Sequence, residues 1–128
     1  MRLILAIWLS ALPATAQTVD CVSAASQVEM TYCAEQDWQA ADVDLNDSYR
    51  QAMAVMKEID AGLPKAEQGA AGQLRAAQRA WVTFRDAGCA AEGFVMHGGT
   101  GEPMVIYECR ARVTRARSAE LSQLAAPL

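Results

Sequence analysis

WQAADVDLNDSYRQAMAVMKEI, from Trp38 to Ile59, carries its apolar side chains at helical steps. Trp38, Ala41, Leu45, Tyr49, Ala52, Met53, Met56 and Ile59 recur every three or four residues, which lays them along one face of an α-helix. Upstream, Ser26 with Glu29 three residues later has the form of a capping box. Downstream, Gly62 and Pro64 stop the run. These signals predict a first helix over about residues 25–61.

Two more helices follow from the same reasoning. Pro64 suits the start of a second, over about 65–91. Its apolar stripe reads Leu74, Ala77, Trp81, Phe84 and Cys89, with Gln78 and Arg85 beside it. Gly69 and Gly72 weaken its first half by about 1 kcal/mol each, so that half is expected to fray or break. Residues 93–103 hold four glycines and a proline and are expected to form a loop. Long loops in compact domains are often functional. A third helix is predicted over about 103–124. Val105, Ile106, Cys109, Val113, Ala116, Glu120, Leu121 and Leu124 approximate its stripe, and Arg110, Arg112, Arg115 and Arg117 make it basic. The first helix is acidic (Glu29, Glu35, Asp37, Asp42, Asp44, Asp47), and opposite charge can guide packing, although exposed pairs contribute little individually. No strand alternation and no internal repeat is present. The expected fold is all-α, a small bundle of three main helices.

The chain is 128 residues with 52% hydrophobic and 20% charged composition, which suits one globular domain. A formal charge of −4 argues against a nucleic-acid partner. Arg2, the apolar run Leu3 to Leu12 and the Ala14-Thr15-Ala16 ending have the pattern of a cleaved export signal over residues 1–16. The apolar run is too short to span a bilayer, so the mature domain, residues 17–128, is expected to have no membrane span. It is placed in the periplasm or outside the cell. Without Arg2 it is more acidic still. Cys21, Cys33, Cys89 and Cys109 all lie in that part, and an even count behind an export signal reads as two disulfides. Three pairings are possible. Cys21–Cys33 and Cys89–Cys109 are favoured, since each pair flanks one turn between segments. The wide spacing, without C-x-x-C, argues against a zinc or redox pair.

Cys21, Met30, Cys33-Ala34, then Ala41-Asp42-x-x-Leu45-Asn46-x-x-Tyr49 form one motif. Ala77-Gln78-Arg79-Ala80-Trp81 and Phe84-Arg85-Asp86-Ala87-x-Cys89 form a second. Glu92, Gly98-Gly99-Thr100, Cys109 and Thr114-x-x-Arg117-x-x-x-Leu121 close the set. Together, over nearly all of residues 21–124, the chain resembles the LprI-like lysozyme inhibitor N-terminal domain family. The resemblance implies a small, helical, exported, disulfide-linked domain that inhibits lysozyme.

Asp42, Asn46 and Tyr49 fall at i, i+4 and i+7 on one helix face, and Gln78 and Arg85 repeat that spacing around Trp81. Their expected role, with Arg117, is a buried polar network joining helices, in which Arg85 contacts Asp42 or another carboxylate. The sharper alternative is a recognition or catalytic pair of Asp42 and Arg85. Trp38 and Trp81 are read as core, and Met30, Met53, Met56 and Met104 as gap-fillers. His97, Gly98, Gly99 and Thr100 are the candidate partner-binding loop. His97 has no metal partners nearby, and the glycines lack the Lys and the preceding strand of a phosphate loop. With no G-x-S-x-G, no H-E-x-x-H and no local carboxylate pair, the chain is not expected to be an enzyme, and no catalytic, cofactor or metal residue is assigned. The expected function is a binding protein that blocks a muramidase by occluding its cleft. The alternative is an envelope interaction module without lysozyme activity.

Overall fold

The computed structural model describes residues 18–126; the predicted export signal, residues 1–16, lies outside them. Three helices follow one another: α1 (Gln27–Ala61), α2 (Ala70–Gly93) and α3 (Glu102–Ala125). Short 3-10 turns, Lys65–Glu67 and Phe94–Met96, sit in the two connections. α1 begins at the capping box read from the sequence. The Glu29 amide donates to Ser26 Oγ at 3.2 Å, and the Ser26 amide donates to Glu29 Oε2 at 3.0 Å, so two otherwise orphaned donors are satisfied.

Contacts fix the topology. Gln27 meets Met104, Asp37 pairs with Arg115, and Ser48 bonds Ser118 at 2.8 Å. Numbering rises together, so α1 and α3 run parallel. α2 runs against both: Glu92 pairs with Arg112, and Gln78 with Arg117.

The α1–α3 seam is built of small side chains. Ala41, Ser48 and Ala52 of α1 and Ala111 and Thr114 of α3 are buried. Where these short side chains meet, the backbones approach closely and need few large residues to exclude water. Leu45, Met53, Leu74 and Leu121 complete the core, with Tyr49, Met56 and Trp81 packed against it.

Two disulfides tie this small core. Cys21–Cys33, Cα atoms 5.6 Å apart, folds the leading segment onto α1. Cys89–Cys109, 5.5 Å apart, staples α2 to α3. Constraining the unfolded chain in this way stabilises a domain by about 3 kcal/mol per bond.

The structure revises four local expectations. α2 starts at Ala70, not near 65. Asp60 at the end of α1 accepts hydrogen bonds from the amides of Gly69, Ala70 and Ala71 at 2.8–3.0 Å, and a carboxylate at that position satisfies the first orphan donors of a helix. Second, the inward face of α2 runs Leu74, Gln78, Trp81, Arg85 and Cys89, while Phe84 is 70% exposed; the face is chosen by what α1 and α3 offer, not by apolarity alone. Third, α3 buries Cys109, Ala111, Thr114 and Leu121, whereas Ala116, Glu120 and Leu124 are exposed. Fourth, the loop shrinks to residues 97–101. Gly93 belongs to α2 and is buried: a Cβ there would meet Ile106 Cγ1 at 2.5 Å, so this glycine serves close helix approach. Gly98, at φ 75°, does need glycine's left-handed freedom.

Candidate functional site

Helices α1 and α2 diverge enough to leave an open cleft of about 330 Å³ between them. From α1 it is lined by Asp42, Leu45, Asn46 and Tyr49. These lie at i, i+3, i+4 and i+7, one strip of helix surface. From α2 come Arg75, Gln78, Arg79, Val82 and Arg85, again a single strip. Five of the six residues expected to form a polar network therefore share one concave surface.

Arg85 is its hub. The side chain is buried, at 8% exposure. Its Nε donates to Asp86 Oδ1 at 3.0 Å, and Nη1 donates to Asp42 Oδ1 at 3.2 Å. The guanidinium carbon lies 5.1 Å from the Trp81 ring centroid and 5.5 Å from that of Trp38. Two carboxylates and two indole faces replace the water that a buried charge gives up. Arg110 of α3 covers Trp38 as well, at 4.8 Å, and reaches Asp86 at 3.5 Å. Trp38 stacks on Tyr107 with centroids 5.7 Å apart. This cluster of alternating aromatic and guanidinium groups joins all three helices.

The sixth residue, Arg117, sits on α3. Its Nε donates to Gln78 Oε1 at 3.1 Å and its Nη1 to Glu120 Oε2 at 2.9 Å. Gln78 is thereby held in place at the cleft wall. The side chains of Asn46 and Tyr49 line the cleft without a hydrogen bond to other described residues. Sequence reasoning missed Arg75, Arg79 and Arg110. For the first two the signal was present: 75, 78, 79, 82 and 85 share one helix face with Arg85.

The glycine-rich connection lies away from this cleft, at the end of the bundle where α2 passes to α3. Its geometry is locked by Glu102. One carboxylate oxygen accepts from the Gly98 amide at 2.9 Å, and the other lies 3.1 Å from His97 Nδ1. The Gly98 amide and then His97 hold the Glu102 carboxyl below its ordinary range. His97 stacks flat on Phe94, centroids 4.4 Å apart. The Gly99 amide closes back on the Met96 carbonyl at 2.9 Å. Phe94 and Val95 stand 63% and 75% exposed on this rigid knuckle. Thr100 lines a shallow hollow with Gln27, Val28 and Thr31. Among the described residues no group of three His, Cys, Asp or Glu side chains could hold a metal ion. No described helix is long and apolar enough to cross a membrane.

The family model described as lysozyme inhibitor LprI matches residues 20–121. The chain belongs to the LprI family. The match takes in both disulfides, the α1–α2 cleft and the glycine-rich knuckle. An uncharacterized protein of Rhizobium meliloti (strain 1021) is 44% identical over 117 residues, covering 88% of this chain and 84% of that relative. Among solved structures, a DUF1311 family protein from Pseudomonas putida KT2440 superposes with a TM-score of 0.66 at 23% identity, over 78% of this chain and 94% of that one. At that identity the likeness concerns the fold. The LprI family and two disulfides are consistent with an extracellular or periplasmic setting.

Proposed function

We propose that this LprI-family chain is an exported, non-catalytic muramidase inhibitor, with residues 1–16 as its export signal and the α2–α3 knuckle as its contact surface. The observation that carries the reading is the family match over residues 20–121. Three physical features support it. The knuckle presents exposed Phe94, Val95 and Met96 beside His97 on a connection already ordered by Glu102. Little conformational entropy is lost when such a surface binds. His97 and the amide and hydroxyl of Thr100 supply polar groups for the two carboxylates of a muramidase cleft. The excess of acidic over basic residues would steer the domain toward a basic enzyme.

The test is a cell-wall lysis assay with oxidised residues 17–128 and an animal lysozyme. Lysis should slow in proportion to added protein, and the double variant Phe94→Ala/Val95→Ala should weaken inhibition about tenfold or more. Undiminished lysis at molar excess would remove muramidase as the target and leave the envelope interaction module. Full inhibition by the double variant would move the contact surface elsewhere.

A further inference from the structure

The α1–α2 cleft is separate from the knuckle, and neither the family match nor the proposed inhibition gives it a role. We infer that it is a binding site for the C-terminal carboxylate of a peptide with a small aliphatic last residue. Three guanidinium groups border it, Arg75, Arg79 and Arg85, against one carboxylate, Asp42. That carboxylate already accepts from Arg85 Nη1. The local balance is cationic on a chain whose overall charge is negative.

The three arginines differ in kind. Arg85 is fixed by Asp42, Asp86 and the two indoles, yet its Nη2 has no acceptor among the described residues. Nη2 is not among the buried unpaired atoms, so it stays open to the cleft, and a guanidinium fixed in place with an outward donor can take an anionic acceptor. Arg75 and Arg79 are exposed, make no ion pair among the described residues, and stand one helical turn apart on the same face. They can close over an anion that Arg85 holds. Planar guanidinium groups match carboxylate geometry by paired N–H donors.

The remaining walls select what carries the carboxylate. Leu45 and Val82 offer apolar contact, and Asn46 and Gln78 offer amide groups suited to a peptide bond. A volume of about 330 Å³ is at the small end of ligand sites and suits one or two residues. Capture of a chain terminus by clustered donors is a recurrent recognition mode.

The experiment follows backbone amide signals of oxidised residues 17–128 by NMR. The probes are N-acetyl-Ala-Ala with a free C-terminus, the same dipeptide amidated, and inorganic phosphate. The free acid should shift amides of residues 42–49 and 75–85 saturably, and amidation should weaken binding about tenfold or more. Arg75→Gln/Arg79→Gln should weaken the free acid by a similar factor while the melting temperature stays unchanged. Asn46→Asp, which adds a like charge to the cleft wall, should weaken it too. Equal binding of acid and amide, no saturable shift in the millimolar range, or unaltered binding by these folded variants would overturn the assignment. Tighter binding of phosphate than of the free acid would overturn it as well. None of these outcomes depends on lysozyme, so this site and the inhibitory reading stand or fall separately.

Discussion

Helix α1 meets its two neighbours on different terms. Toward α3 it offers Ala41, Ser48 and Ala52, and the partner answers with Ala111 and Thr114. Toward α2 it offers Asp42, Asn46 and Tyr49, and the partner answers with Gln78 and three arginines. The first junction closes because its side chains are short. The second stays open because long, charged side chains cannot interdigitate without losing their water. One helix thus serves as scaffold on one face and as the wall of a cleft on the other. The hydroxyls of Ser48, Ser118 and Ser122 bond one another across the seam, whereas the Thr114 hydroxyl is buried there without a partner among the described residues.

This contrast is open to direct attack. Truncation at the seam should cost most. Leu121 is fully buried between the helices, and Leu121→Ala should destabilise by about 3 kcal/mol, because parallel helices held by small residues collapse poorly around a new cavity. Thermal unfolding of the oxidised variant checks it, and a loss under about 1 kcal/mol would mean the seam is plastic. At the cleft, Arg85→Gln should cost less, about 1–2 kcal/mol. It removes the indole contacts, but its partners Asp42 and Asp86 are each partly exposed and regain solvent. An effect as large as that of Leu121→Ala would show that the arginine cluster, not the seam, is the centre of the fold.

The smallest effect concerns acid. The amides of Gly69, Ala71 and Ala70 hold the Asp60 carboxyl below its ordinary value near 3.8. A carboxyl lowered in the folded state stabilises fully above its unfolded pKa, and that contribution is lost as pH falls through the lowered folded value. Asp60→Asn should flatten the acid limb of stability at pH values below about 4, and hydrogen exchange should locate the change at the start of α2. An unchanged acid limb would assign it instead to Glu29 and Glu102, whose carboxyls are lowered by amides in the same way.

How much was legible follows from the range of each interaction. The Ser26–Glu29 box, the stop at Gly62 and Pro64 and the apolar face of α1 as far as Met56 depend on residues within a turn or two, and each was readable in order; Ile59, expected on that face, is exposed because the helix end extends past its partners. The expected contact of Arg85 with a carboxylate drew on the cost of burying an unpaired charge, which holds in any fold. Phe84 and Gly93 were not legible in the same way. Phe84 looks like a core residue by type, yet its direction depends on where α1 and α3 lie. Gly93 looks like a loop breaker, yet it marks where Ile106 comes within van der Waals reach.

The order of residues alone determined three helices, their approximate ends and the even set of cysteines, because helical periodicity and capping are local chemistry. Only the tertiary structure decided that α1 and α3 run parallel on small residues and that Arg75 and Arg79 share a cleft with Asp42. It alone set the knuckle of Phe94 and His97 away from that cleft. Those outcomes depend on which faces the helices turn toward one another, and that choice is made by packing between segments that the chain itself holds far apart.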